Sequence, residues 1–151
     1  GISYSYAMAC DLVLMADSSY LYQPFVGIGL VPDGGATWLL PQLIGSKRAY
    51  ELMALGEKVS AEKAVEWGLA NRVLADDDFA QASMAFAQDL SERSPLALRY
   101  TKEALNFSAA HNLSDTISKE AALQSICIGS ADSKEAITAF FEKRTPAWKG
   151  K

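Results

Sequence analysis

Asp33 is the side chain with the clearest chemical opportunity in this sequence. It stands near the middle of GIGLVPDGGATWLL, residues 27–40, where an apolar run ends in a Pro-Asp-Gly-Gly turn and a helical pattern follows directly. Pro32 fixes its own φ, and Gly34 and Gly35 permit backbone angles that side chains forbid. A carboxylate held there has two uses: it caps the helix behind it, or it faces a pocket as a general base. The other reactive groups point nowhere comparable. His111 is the only histidine, which leaves no set for a His-based metal site or catalytic triad. Cys10 and Cys127 lie far apart without metal-ligand spacing and read as small buried hydrophobes. Asp76-Asp77-Asp78 reads as a solvated helix start, favoured by the helix dipole, and no metal is expected.

The elements that must position Asp33 come first in the chain. Residues 3–10 (SYSYAMAC) suggest a short buried helix. Residues 12–16 (LVLMA) form a continuous apolar run, the pattern of a strand buried on both faces. A second short strand over 20–22 is closed by Pro24, and the segment 27–31 leads into the turn. Helices are predicted over 36–43, bent by Pro41 and closed by Gly45, and over 46–55, with Ser46 as N-cap and Gly56 past its end. Ser60 caps a helix over 61–67 that Gly68 ends, and 69–74 returns as a strand.

Composition changes near residue 75. Beyond it the pattern is almost purely helical: 76–93, 95–108 with Ser94-Pro95 at its start, 115–126 after a cap region at 112–114, and an amphipathic helix over 133–143, with Gly129 breaking the chain between the last two. His111 falls in a loop. The predicted order is α/β over 1–75 and helices over 76–151, with no internal repeat.

Whole-chain properties exclude several classes. The 151 residues suit one domain or part of a larger one, and half of them are apolar. A net charge of −4 with scattered Lys and Arg gives no nucleic-acid footprint. No apolar run approaches the roughly 20 residues that span a bilayer. A reduced, cytoplasmic protein is expected. Gly1-Ile2-Ser3 enters a helical pattern with no initiator Met and no leader, which suggests a start inside a longer gene product.

The stretch ACDLVLMADSSYLYQPFVGIGLVPDGGATWLLPQLIG, the run GEKVSAEKAVEWGLANRVL and the ending SKEAITAFFEKRTPAWKGK together resemble the enoyl-CoA hydratase/isomerase, or crotonase, superfamily, in that family's order. The resemblance implies the later turns of a ββα spiral over 1–75 and a helical oligomerisation region over 76–151 that builds trimers or hexamers. Apolar positions on two sides of the tail helices (Leu96, Leu98, Leu105, Phe107) suit such burial.

The resemblance also implies chemistry. Members that hydrate 2-enoyl-CoA carry two catalytic glutamates, and these positions fall on Ser5 and Phe25, so both carboxylates are absent here. An acid in the Gly-Leu-x-x-acid-x-Gly turn resembles the base of the isomerase branches, and GLVPDGG with Thr37-Trp38 is most similar to the ring-opening isomerase of phenylacetate breakdown. The expectation is an acyl-CoA isomerase with Asp33 as its single acid/base. Coenzyme A then belongs to the substrate and no separate cofactor is needed.

By the same resemblance, the N–H of Ile2 is one oxyanion donor; the alternative is that Ile2 is only a buried hydrophobe. The second donor and most of the coenzyme A surface correspond to residues upstream of Gly1, in a missing N-terminal half of the subunit. Phe25 and Trp38 are acyl-pocket residues on this reading, with core packing as the alternative for Trp38, and Trp148 and Lys149 match residues that close the coenzyme A site. Two other readings stand beside it: a non-catalytic fragment serving as an oligomerisation module, and a different reaction on the same scaffold, such as hydration, thioester hydrolysis or decarboxylation.

Overall fold

The computed structural model describes residues 1–151, which divide into two compact units, Gly1–Ala85 and Phe86–Lys151. The division falls inside a helix rather than at the composition change near residue 75.

In the first unit, α1 (Ile2–Met8) leads into β1 (Leu14–Ala16), and β2 (Tyr20–Leu21) precedes a single 3-10 turn at Val26–Ile28. Then come α2 (Ala36–Ile44), α3 (Ser46–Leu55), β3 (Val59–Ser60), α4 (Ala61–Glu66) and β4 (Arg72–Leu74). β1 runs parallel to β4 with Met15 opposite Val73, and β2 runs antiparallel to β3 with Leu21 opposite Val59. The parallel pair is possible because the whole stretch from β2 to α4 forms the crossover between its strands.

The apolar run at 12–16 is only partly a strand. Leu12 is exposed, and Met15 is the buried residue of β1. The core gathers Tyr4 and Met8 from α1, Leu40 from α2, Ala49 and Leu52 from α3, Val59, Ala64 and Leu69. Alanines at the contact faces (Ala36, Ala49, Ala61 and Ala64, all at 0% exposure) let the short helices approach closely.

Ser60 caps α4 by accepting from the Lys63 N–H, and Gly56 closes α3 at φ +62°, both as the sequence predicts. Ser46 does not cap α3. The cap position is Gly45, with no side-chain bond, and Ser46 is the first helical residue. Pro41 lies inside α2, which continues to Ile44.

The second unit is helical. A 3-10 turn over Asp76–Asp78 precedes α5 (Phe79–Ser91), which crosses from the first unit, and α6 (Pro95–Ser108), α7 (Leu113–Gly129) and α8 (Ala131–Glu142) follow. Ser94, Asn112 and Ser130 cap α6, α7 and α8 through their side chains. Gly129 ends α7 from within, and Ser130 makes the break. α8 starts earlier than 133 because Ser130 accepts the Ser133 N–H at 2.9 Å. His111 stacks on Phe107 with ring centroids 3.6 Å apart. No helix of the structure is long and apolar enough to cross a membrane.

Candidate active site

Asp33 sits where the sequence puts it, between the exposed apolar segment Val26, Ile28, Leu30 and Val31 and the start of α2. The capping alternative fails. The N-cap of α2 is Gly35, in the left-handed region at φ +87°, and no side chain caps the helix. The hydrogen bonds at Asp33 are made by its backbone carbonyl, which accepts from Ser5 Oγ at 2.8 Å and from the Ala36 N–H at 3.2 Å. The side chain is therefore exposed and uncommitted to the fold.

The turn is fixed against α1. Gly34 has φ +62°, and a Cβ added there would lie 2.9 Å from Ser5 Cβ and 3.2 Å from Ile2 Cγ1. Ser5 is fully buried and receives a bond from Gln23 Nε2 at 3.4 Å, and Gln23 is buried as completely. Gln23 Oε1 and the Tyr4 hydroxyl are buried without a partner, and burial raises the Tyr4 phenol well above its ordinary pKa. The close approach of Gly34 to Ile2 and Ser5 sets the Asp33 turn beside the start of α1.

Ile2, the first residue of α1, is 42% exposed. The Tyr4 N–H bonds back to the Gly1 carbonyl, so the N–H groups of Ile2 and Ser3 come before the first intrahelical donor. Phe25 is half-buried at the head of the 3-10 turn, and its carbonyl accepts from the Ile28 and Leu30 N–H groups. Trp38 is 64% exposed on α2. The structure thus gathers Asp33, Gly34, Ile2 and Ser5 at one turn–helix contact, with Gln23 behind it.

Trp148 and Lys149 belong to the helical unit. The Trp148 indole N–H donates to the Glu92 carbonyl at 2.6 Å, and its ring lines a groove of about 520 Å³ formed with α6, α7 and α8. The Lys149 N–H donates to Asp132 Oδ1 at 2.7 Å, which leaves its ammonium exposed.

Sequence reasoning missed Gln23 and the anchoring role of Ser5, because the Ser5 acceptor is a backbone carbonyl 28 positions away. It also missed the buried carboxylate of Asp132, for which Ser130-x-Asp132 at a helix start was the available signal.

A parallel strand pair joined by a helical crossover, followed by a helical unit, with an exposed acid on a Gly-Gly turn against a short helix, is an α/β arrangement that one family shares. The profile of that family, enoyl-CoA hydratase/isomerase, matches residues 4–151. The chain belongs to the enoyl-CoA hydratase/isomerase family and has its crotonase-type fold. It is 35% identical, over its whole length, to 1,2-epoxyphenylacetyl-CoA isomerase of Escherichia coli (strain K12), and covers 58% of that protein. It is 34% identical over 134 residues (89% of the chain) to the short-chain-enoyl-CoA hydratase of Clostridioides difficile, covering 86% of that relative. The crystal structure of an enoyl-CoA hydratase from Polaromonas sp. JS666 superposes with a TM-score of 0.94 at 32% identity, over 99% of this chain and 58% of that one.

Proposed function

We propose that this chain carries the acid/base group of an acyl-CoA isomerase, with Asp33 as its single proton carrier. The observation that carries the reading is the Asp33 side chain itself: exposed, bonded to nothing in the fold, on a turn beside the start of α1 and at the end of an uncovered apolar segment. On a 3-enoyl-CoA ester, the carboxylate takes a proton from C2. The C–H electron pair moves toward the thioester carbonyl, giving a dienolate and a neutral Asp33. The acid then returns its proton at C4, and the double bond lies at C2–C3. Atoms and charge balance without a co-reactant or separate cofactor.

The enolate oxygen needs donors placed in advance, and the Ile2 N–H is the one this chain supplies. Phe25 and Trp38 are proposed to line the acyl path. Trp148 and Lys149 are proposed to contact coenzyme A, with Asp132 fixing the backbone from which the Lys149 ammonium projects. A ring-opening isomerisation uses the same carboxylate and the same enolate. Hydration of the ordinary kind is disfavoured, since a buried hydroxyl and an aromatic ring stand at Ser5 and Phe25 where the hydratases have carboxylates. The exposed apolar residues of the helical unit, Phe140 and Phe141 among them, support assembly into trimers or hexamers.

The test is a double-bond-shift assay on the intact subunit in deuterated water, with wild type and Asp33→Asn side by side. Formation of the conjugated 2-enoyl ester with deuterium uptake, lost in the variant, is the expected result. Near wild-type turnover by Asp33→Asn overturns the assignment. No double-bond shift by the wild type removes the simple 3-enoyl substrate, and a failure to bind any coenzyme A ester favours the non-catalytic module.

A further inference from the structure

We infer that Ser5 is a positioning residue for Asp33, with Gln23 setting the direction in which the Ser5 hydroxyl donates; the inference rests on reading Asp33 as the acid/base. The Asp33 carboxylate has no hydrogen-bonded support of its own, so its location follows from the backbone that carries it. That backbone is held on one side by Pro32, which restricts the residue before it as well as itself. On the other side its carbonyl is held by two donors, the Ala36 N–H at 3.2 Å within the turn and Ser5 Oγ at 2.8 Å from α1. Of these two, only Ser5 ties the turn to a different element.

A hydroxyl has one hydrogen to give and two lone pairs to receive. Gln23 Nε2 donates into Ser5 Oγ at 3.4 Å, which leaves the hydroxyl hydrogen for Asp33. Ser5 is at 0% exposure, so its oxygen meets neither substrate nor bulk water and is no proton carrier in its own right. The close approach at Gly34, 2.9 Å between an added Cβ and Ser5 Cβ, locks the same contact sterically. The position where the hydratases hold a carboxylate is thus occupied here by a clamp on the turn that carries the replacement carboxylate.

Reacting groups displaced by about 1 Å lose about a hundredfold in rate, so loss of the clamp is read in the chemical step. The experiment compares kcat and KM for the double-bond shift in wild type, Ser5→Ala, Ser5→Cys, Ser5→Thr and Asp33→Asn, with thermal melting of each. Expected are a fall in kcat of about tenfold to a hundredfold for Ser5→Ala, KM within about twofold, and recovery of most of kcat in Ser5→Thr, which restores the hydroxyl. Ser5→Cys fills the same space with a poor donor, and it decides the matter if the alanine variant does not fold; a similar fall is expected. Wild-type kcat in Ser5→Ala or Ser5→Cys, with Asp33→Asn inactive, overturns the clamp and leaves the base assignment standing. A loss confined to KM also overturns it, since it assigns Ser5 to ester binding. Full activity of Asp33→Asn sinks the underlying reading, and the clamp with it.

Discussion

Both carboxylate oxygens of Asp132 lie 3.1 Å from the Gly150 N–H, and Oδ1 also accepts the Lys149 N–H at 2.7 Å. The carboxylate is 2% exposed at the start of α8 and fastens the end of the chain to the helical unit. Asp132→Ala removes the acceptor of two amides and is expected to destabilise by about 2–4 kcal/mol, a charge-assisted, buried cluster being worth more than one ordinary bond. Amide hydrogen exchange reads the local effect: the Lys149 and Gly150 amides are expected to lose protection in the variant while the α1–α4 core keeps its own.

Gly34→Ala is expected to be costly for two separable reasons. A side chain at φ +62° costs about 1–2 kcal/mol, and the new methyl meets Ser5 Cβ at 2.9 Å. Together they are expected to lower stability by about 2–4 kcal/mol. In denaturant titration, Gly34→Ala is expected to cost less in a Ser5→Gly background than in wild type, by the steric part, with the Ser5→Gly single variant as the reference for the lost hydroxyl bond.

Asp33→Asn is expected to reduce the proton-transfer rate by about a hundredfold to ten-thousandfold and to leave thermal stability unchanged, because the side chain caps nothing and makes no hydrogen bond in the fold. A marked fall in melting temperature contradicts that placement, whatever the activity.

The Glu135 carboxyl is held down at about 2, first by hydrogen bonds from Arg144 (Nη1 at 2.5 Å and Nη2 at 3.2 Å), then by the Ala147 N–H at 2.9 Å. Its folded pKa is below the ordinary unfolded glutamate value of about 4.3, so its contribution is complete above that pH and disappears as pH falls through the folded value. The Arg144 and Ala147 nitrogen resonances are expected to stay constant at pH 5 and above and to shift as pH drops toward about 2. In Glu135→Gln the Ala147 resonance is expected not to titrate, while Arg144 still senses Glu142, whose Oε2 accepts from Arg144 Nε at 2.6 Å. The pair is solvent-exposed, and added salt is expected to weaken it.

Phe140 and Phe141 are 78% and 77% exposed on α8, with their rings 5.7 Å apart edge to face. If assembly covers them, Phe140→Asp and Phe141→Asp lower the molar mass measured by light scattering and leave the amide protection of Asp132 and its partners intact. An unchanged molar mass assigns the oligomer contact to another face.

What the sequence determined by itself is local or compositional. The helix starts at Ser60, Ser94 and Asn112 are legible because a cap acts on an amide three residues away, and the left-handed glycines at 34, 35 and 56 follow from a conformation that other residues resist. The Asp33 turn is written in one contiguous run, and the family in three stretches that keep their order along the chain. Only the tertiary structure decided that Asp33 does not cap α2, that Ile2 and Trp38 are exposed, and that Ser5 and Gln23 stand behind the turn. Those facts depend on α1 meeting a segment 28 positions further along, and on which apolar residues find a covering neighbour. Residue type is printed at each position, but solvent exposure and the choice of a distant backbone acceptor arise only when the chain has packed.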